Sequence, residues 1–221
     1  MAPSSPLSRN KGQPEENLVE RRSSLDEDMK ACTALVSAGS ANAINGLSQM
    51  IGQEIEVTSL SAREVPVNET PDLVGGWEAI TLGVYLAVTG SATGHMFMVF
   101  KPETAMALAD LLLGEPPGTT KNLDEMEESA LGEVGNIMGS FFLNALSDAT
   151  NSSFLPSPPA VMMDMAGAIL DVALADIIQE SDYALVVETS FRTADRKIEG
   201  TLLIMPSPDL LRVLLEHVRN G

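Results

Sequence analysis

The order of elements that can be read along this chain occurs twice, and that repeat constrains the fold more than any single motif. From residue 25 to about 114 the pattern gives a long helix, a short strand, an irregular insert, two β-rich runs joined by a turn, and a short helix opened by proline. From 122 to 221 the same order returns. Asn45-Gly46-Leu47-Ser48 lies over Asn144-Ala145-Leu146-Ser147 at an offset of 99 residues, and Lys101-Pro102-Glu103 lies over Ser207-Pro208-Asp209. An internal duplication is the economical explanation. Two such halves would pair their hairpins into one antiparallel sheet and lay their long helices side by side, related by a pseudo-two-fold axis. The expected fold class is α/β two-layer: one domain over 25–221, with repeat halves at about 25–114 and 122–221.

The individual elements follow from local chemistry. Residues 1–24 are rich in Ser, Pro and charge and are expected to be a disordered tail. Ser24-Leu25-Asp26-Glu27 reads as a capping box opening a helix to about Ile51, closed by Gly52. Ile55–Ser61 reads as a strand, and Arg63–Gly76 as a loop with room for one helical turn. Trp77–Thr89 and Ala92–Phe100 form a hairpin around Gly90-Ser91. Pro102–Leu113 is a helix with proline at its first position, and Gly114–Gly118 is a linker. In the second half, a strand over Ala160–Met163 follows a proline cluster (Pro156, Pro158, Pro159). Ala166–Gln179 has helical spacing, Tyr183–Phe191 and Ile198–Met205 form a second hairpin, and Ser207-Pro208-Asp209 opens the last helix.

The stretch Asn122–Asp148 is the most informative of these. It contains no proline and reads as one long helix, with Asn122 and Glu125 placed for a capping box and acids at Asp124, Glu125, Glu127 and Glu128, where the helix dipole favours them. At about 100° per residue, Ala130, Leu131, Val134, Ile137, Met138, Phe141, Phe142 and Ala145 fall on one broad side. Ser129, Glu133, Asn136, Ser140, Asn144 and Ser147 fall in a narrow stripe opposite. Ser and Asn are poorer helix formers than Glu, Lys or Arg by roughly half a kcal/mol each, because their short side chains compete for backbone hydrogen bonds. A line of them is a choice against local stability. It fits either a face that docks something or a plain polar face beside a tight crossing. Gly132, Gly135 and Gly139 on its flank are expected to let another backbone come close.

Composition removes several function classes. The net charge of −18 argues against nucleic acid, which requires a basic footprint, and against an anionic membrane surface. The single Cys32 allows no disulfide within the chain and reads as a small buried apolar group. No apolar run approaches the length of a membrane span and the N-terminus lacks an apolar signal region, so a cytoplasmic location is expected. The core is aliphatic, with 12 Met and only 4% aromatic residues. His95 and His217 are far apart, lack cysteine partners and are read as structural. The helix glycines are not a phosphate loop, and no G-x-S-x-G or H-E-x-x-H pattern occurs.

The run Glu128-Ser129-Ala130-Leu131-Gly132-Glu133-Val134-Gly135-Asn136-Ile137, with Asn144-Ala145-Leu146-Ser147 and Pro156-Ser157-Pro158-Pro159 after it, resembles the CheC-type chemotaxis phosphatases, which group with CheX and the FliY phosphatases. The family motif is Asp or Ser, three residues, Glu, two residues, Asn, and Ser129, Glu133 and Asn136 fit it. The likeness extends over about residues 25 to 219. It implies a phosphatase of a phosphorylated response regulator, CheY-P. Asn136 would orient the water that attacks the aspartyl phosphate, Glu133 would pair with a lysine of the regulator, and Ser129 would support them. The regulator would supply Mg²⁺, so no cofactor or metal of the chain's own is expected. Small neighbours such as Ser129, Ser140 and Gly132 would let the helix enter a cleft. CheD is a further partner implied by the resemblance. The rival reading is a non-catalytic adaptor that binds CheD or a flagellar-switch component.

Family members often carry the motif in both halves. Here the first-half equivalents are Lys30, Ala34 and Ser37, so neither Glu nor Asn is present. One working site, in the second half, is expected. A monomer is expected too, since each half supplies the other's mate.

Overall fold

A computed structural model describes residues 13–177, 183–194 and 197–220. The elements are α1 (Gln13–Ile51), β1 (Glu56–Pro66), a 3-10 helix (Val67–Val74), β2 (Ile80–Gly90), β3 (Gly94–Phe100) and α2 (Pro102–Leu113). The second half gives α3 (Glu125–Thr150), β4 (Phe154–Pro156), β5 (Ala160–Met165), α4 (Ala166–Ile177), β6 (Tyr183–Arg192), β7 (Lys197–Pro206) and α5 (Pro208–Asn220). Among the described residues no helix is long and apolar enough to cross a membrane.

The strands form one antiparallel sheet in the order β1-β6-β7-β3-β2-β4, with β5 also on β2. The two hairpins, β2–β3 and β6–β7, meet at β3–β7, where Phe97 faces Leu203. Each hairpin is then flanked by a strand of the other half: β1 on β6, β5 on β2. One face of the sheet carries α1 and α3, packed against each other, and buries Leu82, Val84, Leu86, Met96, Phe142 and Leu143 in the main core. The other face carries α4 and the 3-10 helix, with Ile169 of α4 in one buried cluster with Phe97, Val99 and Leu203. Full burial of a side chain such as Phe142 contributes about 1.5–3 kcal/mol.

Several boundaries differ from those expected. Residues 13–24 are helical, so α1 starts well before Ser24 and only 1–12 of the expected tail lie outside the described residues. Pro14 is suited to a helix's first turn, and Glu15 to Arg22 are mostly good helix formers, so nothing forces the later start. The capping box of α3 belongs to Asp124 and Glu127 rather than Asn122 and Glu125, with the Asp124 N–H donating to Glu127 Oε2 at 3.1 Å. β1 continues to Pro66, because its pairing with β6 extends to Pro66 and Tyr183. Residues 178 and 179, read as the end of a helix, lie outside the described residues. Cys32 is buried, and the Tyr85 hydroxyl is hydrogen-bonded to His95 Nδ1 at 3.0 Å.

Candidate functional site

The polar stripe of α3 faces outward along its length. Ser129, Glu133, Asn136 and Asn144 are exposed, and Ser140 and Ser147 are partly so, while Leu131, Val134, Met138 and Phe142 on the opposite side are buried. Among the described residues, the side chains of Glu133 and Asn136 make no hydrogen bond or ion pair with the rest of the chain. Glu133 and Asn136, three residues apart, share one helix face. The amide therefore has both a donor and an acceptor available to a visitor.

The flank of glycines does bring a neighbour close, and that neighbour is the chain's own sheet. Gly132, Gly135 and Gly139 are buried against the chain's own sheet and the segment that follows α3. A Cβ on Gly135 would collide with Val84 of β2. One on Gly132 would lie against Val161 and Pro159, at 3.6 and 3.7 Å. Gly132, beneath Val161 and Pro159, forms part of the lining of the open groove on this side of α3. These glycines bring α3 down onto β2, and the polar stripe faces away from them. The helix–helix contact is made by glycine on the other partner: a Cβ on Gly46 of α1 would sit 2.6 Å from the Phe141 ring.

The second wall of the site comes from the proline cluster. β2 pairs with β4 through Val88 and Pro156 and with β5 through Tyr85 and Ala160, so residues 157–159 face only Leu86 and Ala87. The extra residue is a bulge, a device common next to functional sites. Ser157 ties the arch down: its N–H donates to the Ala87 carbonyl at 2.8 Å, and its Oγ accepts from the Ala87 N–H at 2.9 Å. Pro159 then leans on Gly132 and Gly135. Between arch and helix runs an open groove lined by Glu125, Glu128, Ser129, Glu133 and Asn136 on one side and Pro156 to Pro159 on the other. The sequence pointed to the prolines as neighbours of the motif but not as a wall. The signal was the break they impose between two short runs that share one partner strand.

The groove is acidic. Glu125, Glu128 and Glu133 surround it, and Glu127 is engaged in the helix cap. Such a rim repels a free phosphate in solution and favours a partner that carries its own cations. Met126 continues the stripe by one more turn and was not singled out by pattern. It is 66% exposed.

The first-half equivalents occupy a matching line on α1. Lys30 and Ala34 are exposed and Ser37 is partly so, but the line carries neither carboxylate nor amide at those positions.

Residues 126–163 match the family model described as CheC-like family. Over 188 residues the chain is 28% identical to the CheY-P phosphatase CheC of Bacillus subtilis (strain 168), covering 83% of this chain and 90% of that protein. In fold it is similar to FliY of Thermotoga maritima, at a TM-score of 0.70 and 21% identity, with 87% of this chain and 96% of that chain covered. It is also similar to the FliM middle domain of H. pylori, at a TM-score of 0.58 and 13% identity, over 86% and 98% of the two chains. The matched stretch holds Ser129, Glu133, Asn136 and the proline arch, the likeness in sequence runs over most of the chain, and the chain is a relative of the CheC-type chemotaxis proteins.

Proposed function

We propose that this chain dephosphorylates a phospho-aspartyl response regulator of the CheY type, using the second-half stripe of α3. The observation that carries the proposal is the pair Glu133 and Asn136, exposed and without partners among the described residues, beside an open groove. The stretch that holds them is the one matched as CheC-like, which supports the same reading.

In the proposed step, the Asn136 carboxamide holds a water in line with the phosphorus of the regulator's aspartyl phosphate. The water oxygen forms a bond to phosphorus and the acyl oxygen–phosphorus bond breaks. The products are the free aspartate carboxylate and inorganic phosphate, with one water proton passing to the phosphate or solvent. Little covalent help is needed for this transfer. Positioning of the nucleophile carries most of the effect, and a neutral amide does so without repelling the phosphate. Glu133 pairs with a regulator lysine and sets the approach, while Ser129 leaves room. Mg²⁺ and the acyl phosphate arrive with the regulator. The acidic rim fits this division of labour, since the phosphoryl group comes already neutralised by its carrier. The same reading takes the two halves as duplicate units about a pseudo-two-fold axis, of which one retains the site. The exchange of flanking strands between the hairpins supports it.

The test is the decay of a ³²P-labelled response regulator in Mg²⁺ buffer with and without the chain, over a panel of single-domain regulators. Faster decay for at least one regulator is expected. Binding without faster decay would leave the adaptor reading, which the lost motif on α1 favours, and a CheD capture assay then addresses that partner directly.

A further inference from the structure

We propose that Met126, with the depression beside it, is an apolar anchor that seats the phosphorylated regulator and sets affinity rather than rate. The inference rests on the function proposed above and concerns the same face of α3. Met126, Ser129, Glu133 and Asn136 follow one another at spacings of three, four and three, which keeps them in one stripe. Met126 precedes Glu133 by seven residues, about 10 Å along the helix. It is the most exposed large apolar side chain among the described residues.

Nothing in the helix start requires a methionine there. The apolar residue that precedes the cap, Leu123, packs onto the main core, and Met126 does not. Met126 instead borders a shallow depression with Met50 at the end of α1, Leu113 at the end of α2, and Ala130. Asp124, Glu125 and Glu133 rim that depression, and Glu125, Ser129 and Glu133 also line the groove on the arch side. The apolar patch is therefore continuous with the proposed catalytic stripe. Its rim calls for a partner surface on which an apolar side chain is ringed by basic groups. A phospho-acceptor domain entering over Asn136, with a lysine directed at Glu133, brings at least one cation to this rim. Methionine suits the task because its flexible, polarizable side chain adapts to a partner surface. A desolvated apolar anchor near an interface centre carries a large share of binding, whereas charged pairs at the rim contribute mainly to rate of encounter and specificity.

The experiment measures binding of beryllofluoride- and Mg²⁺-loaded single-domain regulators to the full chain by calorimetry, and decay of the same phosphorylated regulators. Met126→Gln keeps the side chain's length and helix propensity but removes its apolar character, and Met126→Leu keeps that character. The expected result is about a tenfold weaker Kd for Met126→Gln, near-wild-type binding for Met126→Leu, equal helical content in both, and unchanged kcat at saturating regulator. Equal binding by wild type and Met126→Gln would overturn the inference and leave the proposed function standing. Met126-dependent binding without faster decay would support the inference and remove the phosphatase reading. Failure of every regulator to bind the wild-type chain would overturn both.

Discussion

The two halves of this molecule share an order of elements and differ in what their long helices present. α3 shows a carboxylate and an amide to solvent at Glu133 and Asn136, and α1 shows Ala34 and Ser37 at the matching places. The strands that follow differ as well. β1 takes up its extra residue between Val57 and Ser59 and stays paired with β6 to Pro66. At the corresponding point of the second half, Pro156, Pro158 and Pro159 break the pairing with β2 into β4 and β5 and raise an arch beside the helix. A proline cannot donate to the ladder, so the same one-residue excess becomes a gap in one strand and a local kink in the other. The core is indifferent to this. Cys32, Val36 and Leu47 of α1 are as buried as Leu131, Val134 and Leu146 of α3. The solvent face of such a helix can therefore gain or lose a site while the packed face keeps the fold.

Four experiments bear on that comparison, taken from the largest expected effect to the smallest. Glu133→Lys places a cation where the proposed pairing puts the regulator's lysine. It should lower kcat/KM for regulator dephosphorylation by 30-fold or more, an effect of about 2 kcal/mol or above, whereas Ala34→Lys on α1 should leave it unchanged. Gly135→Val forces a branched side chain into Val84 and should destabilise the chain by about 1–3 kcal/mol in chemical denaturation. The same residue placed at exposed Ser129 should cost less than about 0.5 kcal/mol, so the pair separates the packed and free sides of one helix.

The third experiment addresses the joint between the halves. Asp110 of α2 is fully buried and accepts hydrogen bonds from the Gly118 and Thr120 N–H groups, each at 2.7 Å, which pins the connection to α3. Desolvation alone raises its pKa, but hydrogen bonds from Thr120, Gly118 and Thr119 outweigh it and hold the carboxyl below the ordinary value of 3.8. A carboxyl with a lowered folded-state pKa contributes stability that is fully present above its unfolded value and is lost as pH falls through the folded value. Asp110→Asn should therefore cost about 1–2 kcal/mol at neutral pH, and the gap from wild type should narrow below pH 3.8 in acid titrations followed by circular dichroism. The smallest effect is expected from the graft Ala34→Glu with Ser37→Asn. With no arch beside α1, it should add no measurable regulator decay to a chain whose own second-half site is intact.

Much of this was legible in the sequence, for reasons that can be named. Helical spacing set the outward stripe from Ser129 to Ser147, and Pro102 and Gly114 set the ends of α2, because those signals are local. The β-rich runs on either side of Gly90-Ser91 gave the first hairpin. What was not legible depends on partners distant in sequence. Gly135 looked like a place where another backbone comes close, but that the neighbour is β2, through Val84, is written nowhere within α3. The arch needed knowledge that β4 and β5 share β2. Met126 was passed over because an exposed methionine in an acidic first turn has no distinctive pattern until Met50 and Leu113 are placed beside it.

The central claim is that one amide, on one of two similar helices, holds the attacking water. The most direct measurement is single-turnover release of phosphate from a phosphorylated regulator at saturating chain, comparing wild type, Asn136→Ala and Ser37→Ala. The account predicts that Asn136→Ala falls back at least about a hundredfold toward the regulator's own decay while still binding it, and that Ser37→Ala matches wild type. Full activity in Asn136→Ala, with the regulator bound as before, would contradict it.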